Sequence, residues 1–213
     1  PSTENISKWL VNSFVKPMKE FTNRPYWYWI LSVIMFYKLS DAYLGAVTGN
    51  FIQTIGFTKE QLGIVTKTYG VIATFMGIYC GGYLSKKVSI HKFLIIAGII
   101  SSLFNLIFIL QYYAGNNIIA LICTNSLENF ASGISTTALI VYLSQLCNLK
   151  FTATQYALMS SLASVGRTTL SSTAGYVVEG IGWVNFFIFS SILSLPSLLL
   201  IAYINSKDKN NKI

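Results

Sequence analysis

Residues 26–48 read YWYWILSVIMFYKLSDAYLGAVT, an apolar run that contains one cation, Lys38, and one acid, Asp41. About twenty apolar residues in a helix cross the hydrocarbon core of a bilayer, which is roughly 30 Å thick. A charge at that depth costs about 2.5–3.5 kcal/mol on insertion scales, so it persists where it is paired or faces water. The run therefore predicts a membrane-spanning helix with a polar feature inside it.

The same criterion, applied outward along the chain, predicts six spans. They cover residues 26–48, 61–84, 93–113, 117–147, 154–178 and 183–204. Their connections are short, so neighbouring spans are expected to pack as antiparallel hairpins. The sequence thus predicts an all-α polytopic membrane protein whose six transmembrane helices occupy residues 26–205.

The composition agrees with a membrane protein. Hydrophobic residues make up 53% of the chain and charged residues only 10%, whereas soluble domains carry about 25% charged residues. The three cysteines, Cys80, Cys123 and Cys147, lie in or at the ends of apolar segments and have no metal-ligand spacing. We therefore expect a protein without a metal, a cofactor or a disulfide framework.

The net charge of +8 is concentrated on one side of the predicted bundle. Outside the spans, the opposite side has only Lys59. The basic residues on the favoured side are Lys8, Lys16, Lys19, Arg24, Lys86, Lys87, Lys92, Lys150, Lys207, Lys209 and Lys212. Cytoplasmic loops are the positively charged ones, so both termini are predicted to be cytoplasmic. The charge therefore indicates orientation in a lipid bilayer rather than a nucleic acid partner.

The two ends of the chain differ from the spans. Residues 1–25 place apolar side chains at helical spacing between basic ones, which predicts an amphipathic helix on the inner membrane surface, with a partly disordered linker as the alternative. The apolar positions are Ile6, Trp9, Leu10, Phe14 and Val15, and Pro17 is expected to interrupt the run. The chain opens on Pro1, so this leader is expected to come from the interior of a longer chain. The polar residues 206–213 are predicted to form a disordered cytoplasmic tail.

Five charged residues lie inside the predicted spans: Lys38, Asp41, Lys67, Glu128 and Arg167. They could line a polar cavity, which makes the protein a candidate transporter. The alternatives are ion pairs that join two helices and lysines that extend toward the interface. The position of each charge along its span puts the three cations at a depth similar to that of Asp41, so they are its candidate neighbours. Glu128 lies near the midplane and is expected to be the more isolated acid.

Uncharged polar residues accompany these charges. Most Gly, Ala and Ser residues of the fourth and fifth spans are explained by close helix packing in lipid. Amides are less easily explained in that way, and they suit hydrogen bonds to a sugar or peptide ligand. The candidates for substrate contact are Asn129, Gln155, Asn125 and Tyr37.

Several short sequences carry a family resemblance. They include Tyr37-Lys38-Leu39-Ser40-Asp41-Ala42, Thr66-Lys67-Thr68-Tyr69-Gly70, Glu128-Asn129 with Gly133 after it, Phe151-Thr152-Ala153-Thr154-Gln155-Tyr156-Ala157-Leu158, and Gly166-Arg167. In this order, across nearly all of residues 20–204, they resemble the second half of AmpG-type muropeptide permeases of the major facilitator superfamily. The cytoplasmic loop after the second span departs from the superfamily's gating motif, because Ser85 stands where an acid is expected and Val88 where a glycine is expected.

The resemblance implies a fold and a function. The chain would be the C-terminal half of a twelve-helix bundle, with a missing N-terminal six-helix half as its partner. The whole would import anhydromuropeptides with protons across the bacterial inner membrane. From the charged residues themselves, we expect Asp41 and Glu128 to act in proton coupling or ion-pair switching, with Lys38 in the same charge network. Lys67 and Arg167 are candidates for switching partners in that network or for contacts with substrate carboxylates. The alternatives are another cargo, such as an acetyl-CoA-like anion, or a non-transporting six-span remnant or accessory bundle. Paired aspartates, a His cluster and a Ser–Lys dyad are absent from the sequence, so an intramembrane enzyme is not expected.

Overall fold

The computed structural model describes residues 15–23, 26–148 and 152–210, the last three of these by their backbone only. Within these ranges all regular secondary structure is helical, and the helices form six segments of membrane length. A short helix, α1 (Lys16–Thr22), precedes them. The structure thus has the predicted fold class, an all-α bundle of six segments.

Most segments contain more than one helix. Segment 1 contains α2 (Trp27–Phe36) and α3 (Leu39–Thr54), and segment 2 contains α4 (Lys59–Val65), a π-helical turn (Thr66–Gly70) and α5 (Val71–Ser85). Segment 3 contains α6 (Ile90–Asn105) and α7 (Ile107–Ala114), and segment 4 is the single helix α8 (Ile118–Leu146). Segment 5 contains α9 (Thr152–Ser171) and the first part of α10 (Ala174–Ile192). Segment 6 contains the rest of α10 and α11 (Leu195–Asn210).

Local sequence explains where these segments begin and turn. Thr58 and Gln61 form a capping box at the start of α4, which satisfies backbone N–H groups that have no partner within the helix. The Asn117 side chain accepts hydrogen bonds from two backbone N–H groups in the first turn of α8. Gly182 has φ +76° and separates segment 5 from segment 6 inside α10, a conformation that glycine adopts at little cost.

Four stretches of the described chain are long and apolar enough to span a membrane: Trp27–Thr54, Lys59–Ser85, Ile90–Ala114 and Ala174–Lys207. Helices α8 and α9 also have membrane length, but their polar residues keep them below the same hydropathy. These are the two helices in which the sequence concentrates Ser, Thr, Asn and single charges. These two least apolar segments contain five of the nine candidate site residues, and the other four lie in segments 1 and 2.

The predictions for the two ends need correction. Helix α11 continues to Asn210, so the prediction of disorder was wrong for residues 206–210, and residues 211–213 lie outside the described chain. Residues 197–210 contain no Gly or Pro to end the helix, and basic residues near its end interact favourably with the helix dipole. Pro17 lies in the first turn of α1, a position that proline tolerates. The rest of the predicted leader helix, residues 1–14, lies outside the described chain.

The segments pack in a definite order. Segment 4 lies between segments 2 and 3, segment 6 contacts segments 1 and 3, and segment 5 lies mainly against segment 1. Two buried apolar clusters result. One includes Val33, Ile34 and Phe93, and the other includes Phe51, Phe108 and Phe187. The first cluster ends in segment 1 at Tyr37 and the second begins there at Leu39, so that Lys38 lies at their boundary.

Buried and half-buried polar side chains occupy the same boundary in the other segments, and we call them the polar layer. In segment 3 it lies between Ala97 of one cluster and Phe108 of the other. Its members are Lys38, Ser40, Asp41, Ser101, Ser102, Asn105, Thr124, Asn125, Ser132, Ser135, Ser190, Ser191, Ser194 and Ser197. Asn105 Nδ2 donates to Ser40 Oγ at 2.8 Å, and Ser102 is hydrogen-bonded to Ser194 of segment 6. The core of the bundle is thus mainly apolar toward both ends and hydrogen-bonded in its middle.

Segments 2 and 4 approach each other more closely than side chains allow. A Cβ added to Gly77 would lie 2.1 Å from the backbone oxygen of Phe130, and one added to Gly133 would lie 2.6 Å from the backbone oxygen of Thr74. Without a hydrophobic effect between helices in lipid, such close backbone packing is a main source of association. Glycine is therefore required at both positions.

We expect Gly77→Ala to lower the free energy of unfolding by about 1–3 kcal/mol, the usual cost of overpacking a tight core. Gly82→Ala, on the same helix, is the matched control because nothing lies within 4 Å of its added Cβ. Thermal unfolding of the two detergent-purified variants and the parent protein measures the difference. Equal melting temperatures for Gly77→Ala and Gly82→Ala would contradict the close contact.

Candidate functional site

The candidate site is centred on an ion pair where segment 1 is interrupted. Helix α2 ends at Phe36 and α3 begins at Leu39. Lys38, between them, has non-helical dihedral angles of φ −101° and ψ 11°. Its ammonium forms a salt bridge to Asp41 in the first turn of α3, and both side chains are about nine-tenths buried. Of the three cationic neighbours predicted for Asp41, the structure places Lys38 against it.

Hydroxyl groups from two other segments complete the coordination of this pair. Ser101 Oγ of α6 donates to Asp41 Oδ1 at 2.8 Å. Lys38 Nζ donates to Ser132 Oγ of α8 at 3.1 Å and to Ser135 Oγ at 3.5 Å. The pair therefore joins segments 1, 3 and 4. Both charged groups have hydrogen-bond partners from the protein, although they are largely removed from water. An ion pair that is shared in this way can hold a bundle in one arrangement and release it when one charge is neutralised.

A second polar contact joins segments 2 and 4 beside the π-helical turn. Thr74 Oγ1 donates to Asn129 Oδ1 at 3.2 Å, and Asn125 Nδ2 donates to Thr66 Oγ1 at 3.4 Å. Asn129 Nδ2 also donates to the backbone oxygen of Asn125 at 2.8 Å. A Cβ added to Gly70 would lie 2.7 Å from Asn125 Oδ1. The two amides predicted to contact substrate thus take part in helix packing, and their role toward a ligand stays a prediction.

Glu128 lies on α8 within electrostatic range of the pair, interacting with both Asp41 and Lys38. It is half-buried. Within the described residues its carboxylate has no hydrogen-bond or salt-bridge partner. Glu128 therefore has no direct partner in the part of the chain that the structure describes, but it lies within electrostatic range of both charges of the pair.

The two remaining cations differ in where they lie relative to the ion pair. Lys67 is exposed on the π-helical turn of segment 2, and the structure does not bring it into contact with Asp41. Arg167 of α9 is half-buried and lines a pocket of about 150 Å³ together with Lys38. The structure thus brings Lys38, Asp41, Glu128 and Arg167 into one region and leaves Lys67 outside it.

The other predicted contacts, Tyr37 and Gln155, are engaged within the protein. The Tyr37 hydroxyl donates to the backbone oxygen of Leu94 at 3.0 Å. Gln155 is 2% exposed, donates to the backbone oxygen of Pro17 at 3.0 Å and is also hydrogen-bonded to Glu20. Gln155 therefore attaches α1 to segment 5, and its role as a substrate contact stays a prediction.

Sequence reasoning missed the hydroxyls that hold the ion pair. The pattern of Ser101 and Asn105 could have revealed these hydroxyls. The two residues are four positions apart, so they share one face of α6, and the span around them is mainly apolar. In the loop after segment 2, Ser85 Oγ donates to the Gly82 backbone oxygen at 2.8 Å. Ser85 thus makes a local bond where the resembling family is expected to have an acid.

Six helical segments around a buried, hydrogen-bonded ion pair define a multi-pass membrane protein with a polar core. The profile of the Major Facilitator Superfamily matches residues 13–212. The chain belongs to the Major Facilitator Superfamily.

Curated relatives narrow the comparison. AmpG 4 of Rickettsia conorii, named as a transporter, is 40% identical over 203 residues, which are 95% of this chain and 49% of that protein. The anhydromuropeptide permease of Escherichia coli K12 is 35% identical over 197 residues, 92% of this chain and 40% of that protein. AmpG 1 of Rickettsia prowazekii is 34% identical over 183 residues, 84% of this chain and 41% of that protein. The chain is homologous to AmpG-type transporters and spans about half of their length or less.

We expect Asp41→Asn and Lys38→Gln each to destabilise the protein by about 3–5 kcal/mol, because each leaves an uncompensated buried charge or a broken network. The double variant removes both charges and should lose clearly less than the sum of the two single losses. Thermal unfolding of the four proteins gives the coupling energy. Additive losses would show that the two side chains act independently.

Proposed function

We propose that this chain is the C-terminal half of a secondary-active transporter that imports anhydromuropeptides together with protons. The observation that carries the proposal is the Lys38–Asp41 pair, buried in a membrane-spanning segment and bonded to two others. Membership of the Major Facilitator Superfamily supports transport, and the name of the Escherichia coli relative supports the cargo. The relatives' names do not favour an acetyl-CoA-like cargo or a non-transporting bundle.

The coupling mechanism follows from what protonation does to the pair. Protonation of Asp41 removes the charge that holds Lys38, and the ammonium is then left without compensation in a low-dielectric environment. The bundle responds by moving Lys38 toward water or toward an anionic partner. Since the pair joins segments 1, 3 and 4 at a helix break, this movement changes how those segments meet. No covalent step is involved, so the protein acts as a transporter and not as an enzyme.

Glu128 is the second group in this scheme. Its carboxylate has no direct partner among the described residues and lies within range of both charges of the pair. It can take up a proton when the site opens to water and lose it on the other side of the membrane. A proton that alternates between Glu128 and Asp41 then links the conformational cycle to the pH gradient.

The missing partner of this bundle is the N-terminal six-helix half. The relatives are about twice as long as the matched region, and a cavity with alternating access needs walls on both sides. The proposed location is the bacterial inner membrane, with both termini in the cytoplasm, as the distribution of basic residues indicates.

Cysteine labelling tests this orientation. Single cysteines at Asn116 and Gly180 should react with a membrane-impermeant maleimide from outside intact cells, in a background without other cysteines. Cysteines at Ser89 and Ser206 should react only after the inner face is opened. All four residues are exposed, so a cysteine that fails to react from outside lies on the inner side of the membrane. Labelling at Ser89 in intact cells would reverse the proposed topology.

Uptake by the full-length protein tests the function. Proteoliposomes with an inward proton gradient should accumulate labelled anhydromuropeptide, and Glu128→Gln should abolish accumulation while exchange across the membrane continues. The glutamine amide is nearly the same size as the carboxyl group but cannot bind and release a proton. Lys92→Gln, an exposed change in the first turn of α6, is the control. Accumulation by Glu128→Gln at the parent level would assign the acid a structural role, and absence of uptake by the parent would refute the cargo.

A further inference from the structure

A pocket between segments 4 and 5 carries positive charge and no acid. Its lining from α9 is Tyr156, Ser160, Ala163, Ser164 and Arg167; the lining from α8 is Thr136, Leu139, Ile140 and Leu143; and Lys38 completes it from segment 1. The pocket has a volume of about 150 Å³. Since the α9 residues recur at three- and four-residue intervals, one face of that helix forms one wall.

The two cations of this pocket differ in how they are compensated. Lys38 is neutralised by Asp41, which is not part of the lining. Arg167 has no hydrogen-bond or salt-bridge partner within the described residues. It is half-buried in a segment that crosses the membrane, where an uncompensated charge is costly. The pocket therefore has a net positive charge that needs an anion.

The shape and chemistry of the lining indicate which anion. The planar guanidinium of arginine binds a carboxylate through two parallel hydrogen bonds. The hydroxyls of Ser164, Ser160 and Thr136 provide further donors, while Leu139, Leu143 and Ala163 make the rest of the wall apolar. A ligand that fits this arrangement has a carboxylate at one end and an apolar or ring-bearing body beside it.

We propose that the pocket between α8 and α9 is a carboxylate subsite, in which Arg167 binds a carboxylate of the transported solute. The inference rests on the proposed function for its role in transport, but the site is defined by its own chemistry. Lys38 lines the subsite and is paired with Asp41, which lies outside the lining. A bound carboxylate offers Lys38 a second anionic partner, so cargo binding and protonation of Asp41 favour the same movement of Lys38.

The test measures protection of one cysteine in the pocket. Ser164 lines the pocket one turn before Arg167 and is exposed. Ser164→Cys is introduced into the full-length protein from its native gene, with the other cysteines replaced, and its rate of reaction with a maleimide is measured in membranes. The probes are benzoate and an anhydromuramyl tripeptide, each compared with its carboxamide form.

We expect both carboxylates to slow labelling of Ser164→Cys and both carboxamides to have little effect. Arg167→Gln should weaken the protection about tenfold to a hundredfold, as expected for loss of a charged hydrogen-bond donor. Arg167→Lys keeps the positive charge but loses the planar guanidinium, so it should weaken the protection less than Arg167→Gln does. If Arg167→Gln is not produced in the membrane, the comparison of Arg167→Lys with the parent protein replaces it. Lys92→Gln removes a positive charge outside the pocket and should leave protection unchanged.

The outcomes separate the subsite from the proposed cargo. Protection by benzoate that depends on Arg167, without protection by the muramyl peptide, supports the subsite and refutes the cargo. Equal protection by acids and amides, or protection that persists in Arg167→Gln, overturns the subsite even if muropeptide uptake is observed. Absence of protection by either carboxylate also overturns it.

Discussion

The buried ion pair between Lys38 and Asp41 is the interaction on which the arrangement of this bundle depends. Two charges removed from water need each other and also need hydrogen bonds for their remaining donors and acceptors. One segment cannot supply these, so Ser101 of segment 3 and Ser132 of segment 4 must converge on the pair. The packing of three segments is thereby fixed at one height. The remaining contacts form around it, with Asn105, Ser40, Ser102 and Ser194 extending the hydrogen bonds sideways into segment 6.

This constraint also explains why the apolar core is divided. In lipid, an apolar side chain gains little by leaving the tails for the protein interior, and polar contacts and close packing contribute more to helix association. The cluster around Phe51 and Phe187 fills one end of the bundle, and the cluster around Val33 and Leu94 fills the other. Polar groups occupy the middle, where water does not compete for them. The site proposed for protons and a carboxylate-bearing solute thus lies where the fold already requires hydrogen-bonding groups.

The sequence predicted the fold much better than the site. The six apolar runs gave segments close to those observed, because membrane thickness sets helix length almost regardless of tertiary contacts. Depth along a span placed Lys38, Asp41 and Arg167 at similar heights, and these lie in one region of the structure. Lys67 lies at a comparable depth but on an exposed face, because the rotation of a helix depends on its neighbours. Gln155 was predicted to face a ligand, yet it holds Pro17 and Glu20 of α1, a contact between residues far apart in sequence that no local pattern reveals.

The contact of Gly77 with Phe130 and Gly133 limits how the protein can move. Backbones this close cannot slide or roll past each other without a clash, since each neighbouring register brings a side chain to the place of a glycine hydrogen. Segments 2 and 4 must therefore travel as one rigid body through any change of shape. Segment 1, by contrast, is interrupted at Lys38, and segment 5 packs mainly on segment 1. The break in the helix and the charge pair are thus the same place in the chain.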